Sequence, residues 1–362
     1  MLNWKGVIQA ALTFILMGWA TPVLSSPVHR IIDFQGNVQV KKAQWKGFHQ
    51  AEFGITLSNK DKIKLGSNAW VKVYCSDLNQ YTVKQPRTYL VSEVCPKGEG
   101  VIRLCPDCNN DRLRPLVFKE KGLQKRPYLI SPRKTKVFND SLTIHWNQVP
   151  GVTNYKVKVE GLKEEWEAET NEAKILYGGN LEPGQHYIVT VVADNGVTSI
   201  EEDDGRYSNF TVLKEEEAKT LREQVVIIAQ QELSQEQEGL ILAYFYRGNK
   251  LNFEAIQVLE KLVKSGSQTA TVYQLLGDTY QRVGLNLMAK EPYQQGLALT
   301  GEQEKSEVKA MMQWGLGEVE YLLGNWDEAA EWLQKARVNY LALGKQLNKE
   351  DEELINDALG RD

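Results

Sequence analysis

A spacing of 34 residues in the C-terminal third constrains the fold of this chain more than any other feature. Ala255 and Ala289 lie 34 residues apart, and Gly284 and Gly324 occupy corresponding places in two successive copies of one pattern. Small residues recur where two helices cross closely, and Leu or aromatic residues recur where the packing widens. A single helix pair of this kind cannot bury its own apolar face, so the copies must stack. The spacing predicts an all-α solenoid of three helix pairs over residues 235–345.

The residues that carry the spacing fall into three copies in register. They are Leu242, Ala243, Tyr246, Ala255 and Leu259, then Tyr273, Leu276, Gly277, Tyr280, Gly284, Ala289 and Tyr293, then Leu316, Gly317, Gly324, Ala329, Leu333 and Ala336. Six extra residues displace the third copy, and we place them in a loop near 301–306. The copies resemble tetratricopeptide repeats, and this resemblance implies an array that holds a protein or peptide partner.

In tetratricopeptide repeats the first helix of each pair lines a concave face, where partners usually bind. Carrying the register across places nine residues of this chain on that face: Tyr244, Arg247, Gln274, Asp278, Gln281, Arg282, Trp314, Glu318 and Tyr321. For the three aromatic residues the alternative is packing inside a small array. The prediction therefore concerns the face rather than any one residue.

Helices are also predicted on both sides of the three copies. Residues 214–234 are rich in helix formers and contain no Gly or Pro, and Leu221, Val225 and Ile228 share one helical face. We interpret them as a capping helix that leads into the array. Residues 346–362 are polar with spaced apolar positions, which is typical of a terminal cap helix.

Residues 26–116 predict an all-β domain. Short alternating runs rich in Val, Ile, Thr and Tyr are separated by Gly, Asn and Asp, with strands expected at 38–40, 63–65, 70–75, 81–83 and 101–104. The segment resembles the FecR-like β domain of exported bacterial proteins. The residues that carry this resemblance are Gly54, Leu57, Asp61, Ile63, Gly66, Ala69, Val71 and Val73. In that family the motif builds successive strands and carries no catalytic residues.

Residues 132–213 predict a second β domain. An alternating run ends at Trp146, a second begins at Tyr155, and a third begins at Tyr187. The segment resembles a fibronectin type III or related immunoglobulin-like sandwich, which implies that Trp146 lies in the core. It also implies that the Tyr187 hydroxyl bonds back to nearby backbone. Residues 117–131 are basic and lack apolar periodicity, so we interpret them as a linker.

The N-terminal residues 1–25 have the pattern of an export signal. Lys5 precedes a nearly uninterrupted apolar run, and Ser25 and Ser26 follow it, which favours cleavage after Ser25. The alternative is an uncleaved membrane anchor, since the run is near the lower limit for spanning a bilayer. We therefore expect an exported protein of the periplasm or cell surface.

All four cysteines lie in the first β domain, namely Cys75, Cys95, Cys105 and Cys108. In an oxidising compartment four cysteines allow three pairings. Proximity favours Cys75 with Cys95 and Cys105 with Cys108. A zinc site or a redox pair at Cys105 and Cys108 are weaker alternatives, because a second close pair and a βαβ context are missing.

The charges divide the chain into a basic and an acidic part. Residues 27–136 carry 21 Lys and Arg against 9 Asp and Glu, a net of +12, whereas 137–362 carry −17. An exported basic module favours an anionic envelope polymer or a membrane surface and argues against nucleic acid. The alternative is that the basic β domain docks on the acidic half of its own chain.

No pattern predicts catalysis, a cofactor or a metal site. The four histidines are scattered, and no phosphate-binding loop is present. The sequence therefore predicts a non-catalytic exported adaptor that holds a protein through its helical repeats. The alternative is a FecR-like envelope sensor or regulatory protein, anchored by an uncleaved N-terminal segment.

Overall fold

The computed structural model describes residues 28–96, 125–200, 207–302 and 304–360. The predicted signal segment, the strand expected at 101–104, and Cys105 and Cys108 lie outside these residues. Within them, two β domains are followed by a helical region, as the sequence predicts. No helix of the described ranges is long and apolar enough to cross a membrane.

The first β domain consists of two four-stranded antiparallel sheets. Its strands are β1 (Val28–Gln35), β2 (Val38–Lys41), β3 (His49–Gln50), β4 (Thr56–Ser58), β5 (Lys62–Leu65), β6 (Trp70–Tyr74), β7 (Gln80–Val83) and β8 (Thr88–Leu90), followed by the short helix α1 (Val91–Val94). The strand orders are β4-β1-β6-β7, here the inner sheet, and β3-β2-β5-β8, here the outer sheet. Alternating residues of both sheets form one core, which includes Ile31, Val40, Ile63 and Val73.

Cys75 and Cys95 form a disulfide in this domain, which confirms the preferred pairing of these two residues. The bond joins the residue after β6 to the residue after α1, and both cysteines are buried in the domain core. It therefore ties the end of α1 to the inner sheet.

The second β domain is a sandwich of a five-stranded and a three-stranded sheet. Its strands are β9 (Leu129–Ser131), β10 (Thr135–Val137), β11 (Thr143–Trp146), β12 (Tyr155–Gly161), β13 (Glu165–Thr170), β14 (Lys174–Leu176), β15 (His186–Ala193) and β16 (Asn209–Val212). The orders are β10-β16-β15-β12-β13 and β14-β11-β9. β9 pairs with β11, and Leu129 is fully buried. The last three residues of the predicted linker therefore belong to the sandwich.

The aromatic residues of the sandwich lie where the sequence places them. Trp146 is buried and packs edge-on against Tyr155, with ring centroids 5.3 Å apart. The Tyr187 hydroxyl accepts a hydrogen bond from Glu182 N at 3.0 Å and donates one to Asn180 O at 3.1 Å. Trp146 is thus a core residue, and Tyr187 ties its strand to the preceding turn.

The helical region contains α2 (Glu215–Ala229), α3 (Gln235–Gly248), α4 (Asn252–Lys264), α5 (Ala270–Arg282), α6 (Asn286–Ala298), α7 (Glu307–Leu323), α8 (Trp326–Ala342) and α9 (Lys349–Leu359). Helices α3 to α8 form three consecutive pairs, and α2 and α9 flank them. The six extra residues of the third copy do not all lie in a loop. The α6–α7 connection has eight residues against five between α4 and α5, and α7 has 17 residues against 13 in α5.

Glycines allow the helices of each pair to cross closely. A Cβ atom at Gly277 would lie 2.4 Å from the Tyr293 ring, and one at Gly317 would lie 2.5 Å from Leu333 Cγ. Such distances are far below van der Waals contact, so only glycine fits at these crossings. This is the physical reason for the small residues in the repeated pattern.

Helix α2 joins the three parts of the molecule through one apolar cluster. Leu221 and Ile228 of α2 pack with Ile32 of the first β domain, Leu213 at the end of the sandwich, and Phe245 of α3. The sandwich also contacts the array directly, since Arg133 Nε donates to Val283 O at 2.7 Å. The three parts are therefore packed on one another rather than separated by spacers.

Candidate functional site on the concave face of the helices

The nine predicted partner-binding residues lie on the first helix of each pair. Tyr244 and Arg247 are on α3, the residues from Gln274 to Arg282 are on α5, and Trp314, Glu318 and Tyr321 are on α7. Six of the nine are buried, with exposed fractions of 1–9%: Tyr244, Arg247, Gln274, Arg282, Trp314 and Tyr321. Two neighbourhoods account for the burial of five of them, and Arg282 is the last residue of α5.

The first neighbourhood is a contact with the chain's own first β domain. The Arg30 guanidinium of β1 lies over the Tyr244 ring, with its carbon 3.1 Å from the ring centroid. Gln237 Nε2 of α3 donates to Ile32 O at 2.8 Å. Strand β1 is consequently buried on both faces, because Ile31 enters the core of its own domain while Arg30 and Ile32 face the helices. Burial of both faces explains why His29 to Ile32 show no alternation of exposure.

A turn before β4 enters the array between α3 and α5. Gly54 adopts φ +80°, and a Cβ atom there would lie 2.6 Å from Thr271 Cγ2 and 2.9 Å from Leu240 Cδ2. Thr271 Oγ1 donates to Phe53 O at 2.7 Å. Glycine is therefore required at this position for two reasons, namely the left-handed backbone and the close approach to the helices.

The same domain also contacts the start of α7. Lys42 Nζ forms an ion pair with Glu307, and both side chains are largely buried. Glu52 Oε1 accepts a hydrogen bond from Glu307 N at 3.3 Å, where the first backbone N–H groups of the helix are unpaired. Burial, and then the neighbouring Glu307 carboxylate, raise the pKa of Glu52 to about 7.

Arg30 is the most unusual charge in this contact. It is 1% exposed, and burial lowers its pKa to about 10, with Arg247 acting in the same direction and Tyr244 and Glu307 opposing it. Its Nη1 donates to Thr56 Oγ1, whereas Nε and Nη2 are buried without a hydrogen-bond partner among the described residues. The aromatic face of Tyr244 is thus a principal stabilising neighbour of this charge.

A small cavity remains between the β domain and the helices. It is lined by Lys42, Thr56, Tyr244, Arg247, Gln274, Asp278 and Glu307, among others. Its volume of ≈ 20 Å³ has room for water but not for an organic ligand. The structure therefore brings four of the nine predicted residues together around a contact between domains, not around a small-molecule pocket.

The second neighbourhood lies within the helices. Trp314 Nε1 donates to Glu318 Oε1 at 2.5 Å, and Trp314 also packs near Tyr340 of α8. Tyr321 donates to Asp357 of α9 and lies edge-on to Trp326. Packing within the array, the alternative for these aromatic residues, therefore describes the position of Trp314 and Tyr321.

Gln281 and Asp278 belong to a hydrogen-bond group on α5 and α6. The Tyr293 hydroxyl lies 2.7 Å from Asp278 Oδ1 and 2.5 Å from Gln281 Oε1. Burial, with Asp278 next, raises the pKa of Tyr293 well above its usual value. The group links the two helices of the second pair and fixes the orientation of both side chains.

Sequence reasoning missed the residues that the β domain contributes to this site, namely Arg30, Lys42, Glu52 and Gly54. The charge pattern could have indicated this contact, because one of its two interpretations was that the basic β domain docks on the acidic half of the chain. The Lys42–Glu307 ion pair agrees with that interpretation. The motif containing Gly54 indicated a strand but not the helices that it contacts.

One group of metal-ligating residue types is close together in the described ranges. His29, Cys75 and Cys95 have ligand atoms within 4.8 Å of one another. However, both sulfurs are used by the disulfide. His29 Nε2 lies 2.8 Å from Asn59 Oδ1, and its Nδ1 accepts from Ser76 N at 3.2 Å. These atoms hold the end of β1 in place and leave no free ligand set.

Comparisons with known proteins do not assign this chain to a family. No protein-family model matches it, and no curated protein matches it significantly. Among solved structures, the fibronectin(III)-like modules of Clostridium thermocellum CbhA are 10% identical with a TM-score of 0.18, over 49% of this chain and 76% of that chain. A polysaccharide lyase is 8% identical with a TM-score of 0.21, over 92% of this chain and 74% of that chain. Neither likeness is close enough to carry an argument about function.

Proposed function

We propose that this chain is a non-catalytic exported adaptor whose helical array binds a protein partner on its concave face. The helical copies resemble the register of tetratricopeptide repeats, and four of the nine residues that this register assigns to the concave face line the contact with the chain's own first β domain. The first β domain takes the place of the partner, through Arg30 and the turn at Gly54. The partner proposed from the sequence must therefore compete with this domain.

The proposal is supported above all by the position of Gly54, which lies against Leu240 of α3 and Thr271 of α5. A concave helical face that accommodates a turn of one β domain has the shape to accommodate a similar segment of another protein. The Cys75–Cys95 disulfide supports the exported part of the proposal, because such bonds persist mainly in oxidising compartments.

Gly54→Leu tests the competition directly. The new side chain would overlap Thr271 and Leu240 and should displace the β domain from the helices. Gly266→Leu is a matched control, since Gly266 has φ +81° but a Cβ atom there would have no neighbour within 4 Å. Both variants carry the same backbone strain, and only the first opens the concave face.

The measurement is affinity capture from an envelope extract with the two variants and the unaltered protein as baits. We expect Gly54→Leu to retain a protein that the other two baits retain weakly. Adding Gln274→Arg to Gly54→Leu should abolish that capture, because Gln274 lies on the opened face. Equal capture by all baits, or no effect of Gln274→Arg, would contradict the proposal.

A further inference from the structure

The exposed face of the outer sheet of the first β domain is basic. The paired strands place seven side chains on this face: Gln39, Lys41, Gln50, Lys62, Lys64, Thr88 and Leu90. Their neighbours Val40, Ile63 and Tyr89 point into the core. Three of the seven outward residues are lysines, and none is a carboxylate. This face, which we call the lysine face, belongs to the sheet that does not carry Arg30 and Ile32.

The three lysines have no ion-pair partner in the described parts of the chain. Lys41 stands directly opposite Lys62 in the β2–β5 ladder. Like charges at directly opposed positions destabilise a sheet. Lysines that prevent edge-to-edge pairing lie on edge strands, whereas β2 and β5 are the two central strands. Protection of a sheet edge therefore does not explain why Lys41 lies opposite Lys62.

We propose that the lysine face binds an acidic polysaccharide. Three ammonium groups provide charge complementarity to a polyanion, while the amides of Gln39 and Gln50 and the Thr88 hydroxyl match sugar hydroxyl groups. The Phe48 ring lies 5.6 Å from Lys64 Nζ and adds an apolar surface beside the lysines. Clusters that recruit anionic membranes usually contain four to eight basic residues, so three fit a membrane less well.

This inference is independent of the adaptor proposal, because the Arg30 contact uses the inner sheet, and Lys42, the outer-sheet neighbour of Lys41 that pairs with Glu307, is not part of the lysine face. Binding to the polymer would proceed with the first β domain docked on the helices. Loss of polysaccharide binding and loss of partner capture are therefore separate outcomes.

The test compares two triple variants of the full chain. Lys41→Gln, Lys62→Gln and Lys64→Gln together remove the lysine face. Lys219→Gln, Lys261→Gln and Lys264→Gln remove the same charge from exposed positions on α2 and α4, and none of these three lysines forms an ion pair with a described residue. Binding is measured to immobilised polygalacturonate and dextran sulfate, with uncharged dextran as the neutral match.

We expect both acidic polymers to bind the unaltered protein and dextran not to bind. Removal of the lysine face should weaken binding roughly tenfold or more and reduce its salt dependence, and the control triple should bind nearly as the unaltered protein does. Lys62→Gln should also raise the urea midpoint of unfolding, because it relieves the repulsion from Lys41. A purely structural role for these lysines predicts a lower midpoint.

Three results would overturn the inference. These are no binding to either acidic polymer, equal losses in the two triple variants, and binding to vesicles of anionic phospholipid that depends on the lysine face while polymer binding does not. The last result would assign the face to a membrane instead.

Discussion

Arg30 shows how one residue couples two domains. Its guanidinium is withdrawn from water in a contact where the Tyr244 ring lies 3.1 Å away and two of its nitrogens have no described hydrogen-bond partner. A buried charge of this kind is costly unless its neighbours stabilise it. The aromatic face of Tyr244 compensates part of that cost only while the β domain is docked.

A double-mutant cycle measures this coupling. Arg30→Met and Tyr244→Leu each keep apolar bulk, and we expect a coupling free energy of about 1–2 kcal/mol between them. The reference pair is Lys335 and Trp332, whose cation lies 4.3 Å from the ring at the surface and should couple by only about 0.5 kcal/mol. Urea unfolding of the single and double variants gives both values, and a coupling near zero for the Arg30 pair would contradict the assigned stacking.

Lys250 is a second residue with an unusual backbone. It has φ +62° at the end of α3, where the corresponding positions after α5 and α7 are Gly284 and Gly324. All three precede a residue whose N–H bonds five residues back, to Tyr246 O, Tyr280 O and Glu320 O respectively. The first helix pair thus ends in the same turn as the others, but without glycine.

Lys250→Gly should therefore stabilise the protein by about 0.5–1 kcal/mol, since it removes the strain of a side chain at positive φ. Lys250→Ala is the control, because it removes the charge and keeps the Cβ atom. We expect no gain from that variant. Thermal unfolding at neutral pH measures the stability of both variants. An equal gain in stability from Lys250→Gly and Lys250→Ala would mean that the removed charge, and not the backbone strain, is responsible.

At the scale of elements, the crossing of α7 and α8 depends on Gly317. Gly317→Ala would place a Cβ atom 2.5 Å from Leu333 Cγ and 3.1 Å from Leu333 N. Backbone cannot retreat as a flexible side chain does, so we expect destabilisation of about 1–3 kcal/mol. Gly301→Ala, in the α6–α7 connection with no atom closer than 3.8 Å, should be nearly neutral. The denaturant midpoints of Gly317→Ala and Gly301→Ala measure this difference in stability.

The helix and strand elements were largely predictable because each follows a local pattern. The small residues Gly277 and Gly317 of the repeated pattern indicated where helices cross, and Trp146 on an early strand together with Tyr187 on a later one indicated a sandwich. The division of the six extra residues between a loop and α7 was not predictable, because a helix can lengthen without changing its apolar pattern. Strands β1 and β9 were both missed. Strand β1 is buried on both faces and shows no alternation, and the three residues of β9 are too few to show any.

The candidate site was predictable only on the helical side. Tyr244 and Gln274 follow from the repeat register, whereas Arg30 contacts Tyr244, and Glu52 contacts Glu307, across more than 200 positions of the chain. No periodicity links such positions. The division of the chain into a basic and an acidic part predicts that the two parts attract each other. It does not predict which side chains form the contact.

At the scale of the whole molecule, two raised carboxyl pKa values make stability depend on pH. Burial raises the pKa of Glu52 and of Glu254 to about 7, in contacts of the helices with the first and second β domains respectively. The folded protein therefore holds protons that the unfolded chain has released between about pH 4.5 and 7. Stability from these groups is complete below that window and is lost as the pH rises through it.

We expect the free energy of unfolding to fall as the pH rises from 5 to 8, and Glu52→Gln to flatten that fall. Glu254→Gln should flatten it separately, while Glu353→Gln at an exposed position should leave the slope unchanged. Urea unfolding across the pH range measures these slopes. A Glu52→Gln variant with the full slope would show that this carboxyl does not titrate at the contact.

The first β domain docks on the helices through Arg30, Lys42 and the turn at Gly54, and zero-length cross-linking of the full chain tests this docking most directly. A carbodiimide joins ammonium and carboxylate groups that are already in contact, and Lys42 and Glu307 form such a pair across 265 positions of the chain. The more accessible pair Lys136 and Glu217, 2.5 Å apart between the sandwich and α2, serves as the positive control.

Peptide mass spectrometry of the monomer fraction should contain both cross-links, and Gly54→Leu should remove only the one between Lys42 and Glu307. If the Lys136–Glu217 link forms and Glu307 is itself activated, as shown by its adduct with added glycine ethyl ester, while the Lys42–Glu307 link is absent from the unaltered monomer, the first β domain is not docked on the helices.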